Sequence, residues 1–179
     1  GNLSSRSPNE SLFWNARNEL KRFQKGAGSA RYYYDESGER VRKSGNQGTP
    51  TRWFSRYFEK PQTGMQKRYV YVGSKRIALV PEAGSVVRYF HGDHLQSTNL
   101  VTDTTGAVER QIEYAPYGEV VSDTGGFAQF RYGFTDKYLD QESDFNYFGA
   151  RYFVPGVGRW ISADPYYSDE IVVPGPGIK

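Results

Sequence analysis

Apolar and polar residues alternate along much of the chain, a pattern that predicts short β-strands. In residues 107–114, Val108, Ile112 and Tyr114 share one face, while Glu109, Gln111 and Glu113 share the other. Arg110 is the one exception on the apolar face. A period of two residues is that of a half-buried strand. Segments rich in Gly, Pro and Ser separate further strand candidates at residues 30–34, 40–43, 51–59, 67–73, 75–81, 86–91 and 96–102.

A recurring turn motif connects several of these strands. An aromatic or β-branched residue is followed by Asn or Asp, two further residues, and Gly or Asn in segments 14–20, 34–40 and 102–108. The Asn or Asp side chain binds the backbone of its own turn, and Gly or Asn accepts the left-handed conformation that closes a hairpin. Regularly spaced hairpins of this kind predict a repetitive, all-β, antiparallel sheet.

Few segments fall outside the strand pattern. A short helix fits residues 136–142, with Thr135 as its N-cap. Residues 44–50 contain no aromatic side chain and are expected to form a loop, and residues 1–10 and 173–179 are expected to be loose ends.

Composition agrees with the β assignment and removes several classes of protein. Tyr, Phe and Trp make up 16% of the 179 residues, and there are 20 Gly and 9 Pro. Aromatic side chains pack well on pleated surfaces, whereas Gly and Pro favour turns. The chain has no Cys, which excludes disulfide scaffolds and Cys-based metal sites. No apolar run reaches the roughly 18 residues of a membrane span.

Charge is unevenly distributed along the chain. Residues 1–90 contain 17 basic and 7 acidic side chains, whereas residues 91–179 contain 6 basic and 13 acidic ones. We favour the interpretation that the two halves, or one half and a neighbouring segment, face each other with complementary potentials. The alternative is that the basic half binds nucleic acid or an acidic surface.

Five motifs in the second half carry a family resemblance. They are YFHGDHLQS at residues 89–97, YAPYGE at 114–119, YGFTDK at 132–137, YFGARYF at 147–153 and GRWISADP at 158–165. In this order they resemble the RHS repeat-associated core, and the recurring turn resembles the YD repeat of RHS-type polymorphic toxins. The resemblance divides the chain into a YD-repeat region at residues 1–88, a core at 89–165 and a C-terminal tail at 166–179.

This resemblance implies a structural role. YD repeats form a curved, shell-like sheet, so the chain is expected to be a shell or cap segment that helps to enclose or present a C-terminal effector. The expected partners are the remainder of the parent shell, or another copy of this chain through strand edges, and the enclosed effector. The resemblance also implies a secreted or exported bacterial protein without a cofactor.

Many members of this family cleave themselves with aspartates near the end of the core, and Asp164 matches one of these. The family's second Asp-Pro is absent from this chain, which argues against enzymatic activity. Self-cleavage with Asp164 and a displaced Asp169 remains an alternative. Two further departures are Asp136 in place of the usual Gly and Asp144 in place of a second Gly. Asp tolerates the left-handed conformation, so both turns are expected to survive.

The remaining candidate side chains have structural interpretations as well as chemical ones. His91, Asp93 and His94 offer metal ligands or a general base, but no third His completes a three-His site. We therefore predict structural hydrogen bonds and no metal site. Arg151, Arg159 and Trp160 are expected to pack as part of the core motif, with Asp164 beside Arg159 as an ion pair.

The acidic residues Asp140, Glu142 and Asp144 have the spacing of a calcium loop. Phe145 stands where that loop requires Gly, and Arg151 stands where it requires a bidentate Glu. The expectation is therefore a solvated turn.

A further alternative function is a binding surface. The strands between Tyr32 and Arg76 are rich in aromatic and basic residues. Such a surface is suited to carbohydrate or to single-stranded nucleic acid, whose binding would depend strongly on salt.

Overall fold

The computed structural model describes residues 1–82, 85–126 and 130–165 and consists almost entirely of β-structure. Twelve strands form one open antiparallel sheet, in which each strand pairs with its neighbours in sequence. They are β1 (Glu10–Trp14), β2 (Leu20–Lys25), β3 (Gly28–Tyr34), β4 (Arg40–Gly45), β5 (Thr51–Ser55), β6 (Phe58–Pro61), β7 (Lys67–Val72), β8 (Lys75–Val80), β9 (Arg88–Gly92), β10 (Thr98–Thr102), β11 (Val108–Tyr114) and β12 (Val120–Gly125).

A second antiparallel sheet has four strands, β13 (Tyr138–Asp140), β14 (Phe145–Tyr147), β15 (Tyr152–Val154) and β16 (Arg159–Trp160). The all-β, antiparallel prediction is confirmed. The larger sheet continues across residue 88, because β8 pairs with β9. Within the described residues, no helix has the length and apolar character needed to cross a membrane.

Five hairpins of the larger sheet share one backbone turn, at residues 15–19, 35–39, 93–97, 103–107 and 115–119. In each, the first residue donates its N–H to the fifth carbonyl, and the fourth residue donates to the first carbonyl. The fourth residue is left-handed, with φ between 58° and 85°. In four of the turns, the Asn or Asp at the first position accepts two backbone N–H groups. The three predicted copies are confirmed, and two more join them.

Three local expectations were wrong. Residues 136–142 do not form a helix: a 3₁₀ turn at Phe134–Asp136 leads directly into β13, because Asp136 is left-handed with φ 56°. Residues 51–59 form two strands, since the chain reverses after Ser55, whose Oγ accepts the Tyr57 N–H at 3.1 Å.

Residues 1–10 are also tied down, contrary to the expectation of a loose end. Leu3 donates its N–H to the carbonyl of Ile161 at 2.8 Å, and its own carbonyl accepts the indole N–H of Trp14 at 2.8 Å. Leu12 donates its N–H to Ser4, so this segment covers part of the β1 edge. The other expected loose end, 173–179, lies outside the described residues.

The smaller sheet packs on one face of the larger one, which we call the inner face. One apolar cluster joins β1–β3 to the smaller sheet, with Phe23 and Phe145 in edge-to-face contact at 5.8 Å. A second cluster lies under β7–β10, where Phe90 and Phe130 stack at 4.1 Å. Burying each such ring contributes about 1.5–3 kcal/mol. The space between the clusters is not apolar, and it holds the candidate site.

Candidate functional site

Eight charged side chains, seven of them buried and Asp136 largely so, lie between the two apolar clusters. We call them the ionic seam. The inner face of the larger sheet supplies five of them, and the segment leading into and out of β13 supplies three. They are Arg40, Lys43, Glu59, Lys67, Arg76, Asp136, Asp140 and Glu142. Cations and anions are equal in number, which the low dielectric of a protein interior requires of buried charges.

The centre of the seam is a four-residue ion network. Arg40 donates from Nη1 to Oδ2 of Asp140, and Lys43 donates from Nζ to Oδ1 of the same carboxylate at 3.0 Å. Lys43 also bonds Oε2 of Glu142 at 3.0 Å, and Tyr32 donates its hydroxyl to Oε1 at 3.0 Å. Burial, followed by the neighbouring Asp140, raises the pKa of Glu142.

Aromatic rings surround the buried Arg40 guanidinium. Its Cζ lies 4.3 Å from the ring centre of Tyr147 and 4.5 Å from that of Trp53. The rings of Tyr32, Tyr138 and Tyr152 follow within 5.9 Å. Ring faces attract a desolvated cation, so this cage and Asp140 together compensate for the lost water.

Two smaller ion pairs extend the seam towards β8. Lys67 donates to Oε1 of Glu59 at 2.7 Å, and the same carboxylate accepts the Trp53 indole and the Tyr132 hydroxyl, each at 3.1 Å. Arg76 Nη1 lies 3.1 Å from Oδ1 of Asp136, and its Cζ lies 3.4 Å from the ring centre of Tyr132. Burial raises the pKa of Asp136, although Arg76 opposes that rise.

The seam accounts for part of the uneven charge distribution. All four of its cations come from residues 1–90, and three of its four anions come from residues 91–179. The complementary-halves interpretation is confirmed at this place. The expectation of a solvated turn was wrong for Asp140 and Glu142. Both carboxylates are buried, because cations of β4 pair with them. Only Asp144 of that trio is exposed, with φ 58°.

His91 lies on β9, and Asp93 and His94 lie in the hairpin turn that follows this strand. Asp93 heads the turn and accepts the N–H groups of Leu95 and Ser97 at 2.9 and 2.8 Å. His91 Nε2 lies 3.0 Å from Oγ1 of Thr102, and His94 is exposed. Among the described residues, no three His, Asp or Glu side chains are grouped to hold a metal ion.

The last core motif surrounds Trp160. Arg151 lies over the indole at 4.1 Å, and its Nη2 pairs with Oδ2 of Asp164 at 2.8 Å. Phe148 and Phe153 contact the same indole edge-on. Asp164 pairs with Arg151, and the ion pair expected between Asp164 and Arg159 is not formed; Arg159 lies on the exposed strand β16. The catalytic role considered for Asp164 stays a prediction.

Comparison with known proteins supplies the family. The family model of the Teneurin YD-shell matches residues 1–175. The chain belongs to the Teneurin YD-shell family. This match confirms the resemblance to YD-repeat proteins that the turns and core motifs predicted, and it makes the chain a structural segment of a YD-shell.

Two kinds of relatives support the assignment. Toxin subunit YenC1 of Yersinia entomophaga is 29% identical over 196 residues, which cover 88% of this chain and 20% of YenC1. The crystal structure of TcdB2-TccC3 matches with a TM-score of 0.79 and 22% identity, over 93% of this chain and 10% of that chain. The Tc holotoxin pore of Photorhabdus luminescens matches with a TM-score of 0.77 and 23% identity, over 92% and 9%.

At these identities, the solved structures show the fold alone. The YD-shell chain spans about a fifth of YenC1 and a tenth or less of the solved chains.

Proposed function

We propose that this YD-shell segment forms part of the wall of a toxin shell that encloses or presents a C-terminal effector. The ionic seam is the observation that carries the proposal. It fixes the smaller sheet on the inner face of the larger one with paired buried charges. The relationship to toxin subunit YenC1 supports the toxin context.

The proposed partners attach through a strand edge. Within the described part of the chain, β12 pairs only with β11, and its Val120 and Val121 are 44% and 69% exposed. An unpaired edge with exposed apolar residues is a template for another strand. We propose that the parent shell or a second copy of this chain continues the sheet there.

The domain division and the compartment are part of the same proposal. Residues 1–88 would form the YD-repeat wall and residues 89–165 the core that carries the smaller sheet, and residues 166–179 are assigned as the C-terminal tail. YenC1 is a bacterial toxin subunit, and by analogy we propose that the parent of this chain is a bacterial protein exported from the cell.

Self-cleavage is the alternative function at this end of the chain. Asp164 lies against Arg151 with its side chain 28% exposed, an arrangement suited to locking β16 onto the core. The alternative also needs Asp169, which lies outside the described residues. We propose that the shell role does not include cleavage by this chain.

Intact mass after expression with a C-terminal extension of about 30 residues tests this proposal. A chain of full mass supports a structural shell segment. A discrete cut shortly after Asp169, abolished by Asp164→Asn but not by Asp144→Asn, would establish the self-cleaving alternative. Asp144 is a suitable control because it is an exposed aspartate outside the ionic seam.

A further inference from the structure

The outer face of the larger sheet, opposite the smaller sheet, carries a row of cations. Six basic side chains project from it, one on each strand from β2 to β7, and each has at least one immediate sequence neighbour that is buried on the inner face. We call them the outer strip: Arg22, Arg31, Arg42, Arg52, Lys60 and Arg68. Five of the six are exposed, and Arg22 is half-buried. At the usual strand spacing the strip is about 24 Å long.

Strand register brings three pairs of these cations directly opposite one another. Arg22 faces Arg31, Arg42 faces Arg52, and Arg52 faces Lys60. Like charges at directly opposite positions destabilise a sheet. The outer strip therefore concentrates a repulsion that a bound polyanion would relieve.

Acidic side chains do not neutralise the strip. Glu59 is the single acidic residue in strands β2–β7, and it belongs to the ionic seam on the inner face. Within the described residues, none of the six cations forms an ion pair, whereas Arg88 pairs with Glu109 and Arg110 with Asp123 elsewhere in the sheet. The lack of ion pairs among these described cations is therefore specific to the outer strip.

Aromatic rings lie in the same cross-strand rows as the cations. Arg22 faces Phe13 with its Cζ 3.8 Å from the ring centre, and Arg42 faces Tyr33 at 5.1 Å. A guanidinium laid on a ring keeps its N–H edge available for phosphate. Phe54 on the same face is 62% exposed and presents a ring on which a base can stack.

We propose that the outer strip binds single-stranded nucleic acid, with the cations on phosphates and Phe54 and Tyr33 against bases. Cations that contact phosphates and aromatic rings that stack on bases are the two elements of single-strand recognition. The rings lie within the rows of cations and do not form a separate apolar edge, which favours this ligand over an anionic membrane. This activity goes beyond the shell role.

Fluorescence anisotropy with a fluorescein-labelled dT20 oligonucleotide at 25–200 mM NaCl tests the proposal. The logarithm of the affinity should fall against the logarithm of salt with a slope of about −4 if all six cations engage phosphates, since each contributes about −0.7. Arg42→Gln, Arg52→Gln and Lys60→Gln combined should weaken binding at low salt at least 30-fold and reduce the slope by about 2. The melting temperature of this variant should not fall, because the substitutions remove repulsion.

A matched triple variant separates the strip from net charge. Arg17→Gln, Lys137→Gln and Arg159→Gln remove three positive charges outside the strip and should change the affinity less than threefold. Equal weakening by both triple variants would overturn the proposal.

Comparing oligonucleotides with and without bases tests the stacking. An abasic 20-mer with the same phosphates should bind about tenfold more weakly than dT20, and Phe54→Ala should reduce that difference. Equal affinity for the two oligonucleotides, or absence of salt-dependent dT20 binding, would overturn the proposal. Binding to vesicles with 30% phosphatidylserine in the absence of dT20 binding would also overturn it and identify a membrane surface.

Discussion

Arg40 on β4 and Asp140 on β13 are 100 positions apart in the sequence, yet they form an ion pair in which the two side chains are 1% and 0% exposed. This pair and its neighbour Lys43 connect the two sheets of the YD-shell segment. Removing one member would leave its partner charged and buried, which costs far more than the intact pair contributes. The position of the smaller sheet therefore depends on a few side chains of the ionic seam.

Asp140 is the shared counter-ion of two buried cations. Asp140→Asn should lower the free energy of unfolding by about 3–5 kcal/mol, because Arg40 and Lys43 lose a shared buried counter-ion. Asp144→Asn is the matched control: it is exposed, and Asn tolerates the same left-handed backbone, so it should change stability by less than about 0.5 kcal/mol. Urea unfolding of both variants measures the difference, and similar effects would contradict a structural seam.

Two hairpin glycines test the shared turn. Gly106 and Gly118 both occupy its left-handed position, with φ 85° and 83°. Gly106→Ala has open space around the added methyl group, so it should cost only the backbone strain of about 1–2 kcal/mol.

Gly118→Ala should cost clearly more in the same urea titration. Its added Cβ would lie 2.4 Å from the ring of Phe134, which links this turn to the 3₁₀ turn before β13. Equal losses in Gly106→Ala and Gly118→Ala would show that the contact between turn and ring is absent in solution.

The ionic seam also predicts a pH dependence. Burial raises the pKa of Glu142 above its ordinary value of 4.5, so the folded protein retains a proton that the unfolded chain has released. Stability conferred by Glu142 must then fall as pH rises from 4.5 through the folded-state pKa. The free energy of unfolding of wild type relative to Glu142→Gln should decline over this range.

Glu10 provides a control of opposite sign. A hydrogen bond from Arg6 lowers the pKa of Glu10 below 4.5. Wild type should therefore be more stable than Glu10→Gln above pH 4.5, and this difference should be lost as the pH falls through the lowered pKa of Glu10. Chemical unfolding at a series of pH values measures both variants, and slopes of the same sign would contradict the assigned environments.

Local features of this fold can be predicted from sequence, because their partners are close in the chain. Asp35 and Asp103 accept hydrogen bonds from the backbone N–H groups two and four residues ahead, and the turn motif in the sequence predicts such bonds. Asp136 and Asp144 replace the usual glycines and are left-handed, as expected from the tolerance of Asp. The hairpin between β5 and β6 was missed because it contains no Gly or Pro.

The ionic seam could not be predicted, because its partners are distant in sequence. Lys43 and Glu142 are 99 positions apart, and each taken alone resembles an ordinary exposed charge. A partial signal exists in β4, where Arg40 and Lys43 flank a bulge and both point inward opposite Tyr34 and Tyr32. Only the pairing of the two sheets shows why charged residues occupy these positions.

The solution mass of the purified chain by light scattering, over a range of concentration and salt, tests the shell account most directly. An open sheet that pairs through β12 should give species heavier than the 20.4 kDa monomer at high concentration. Val121→Lys on β12 should restore the monomer, whereas Val108→Lys, an exposed valine on the internal strand β11, should not. A wild-type chain that stays monomeric at every concentration would contradict the account.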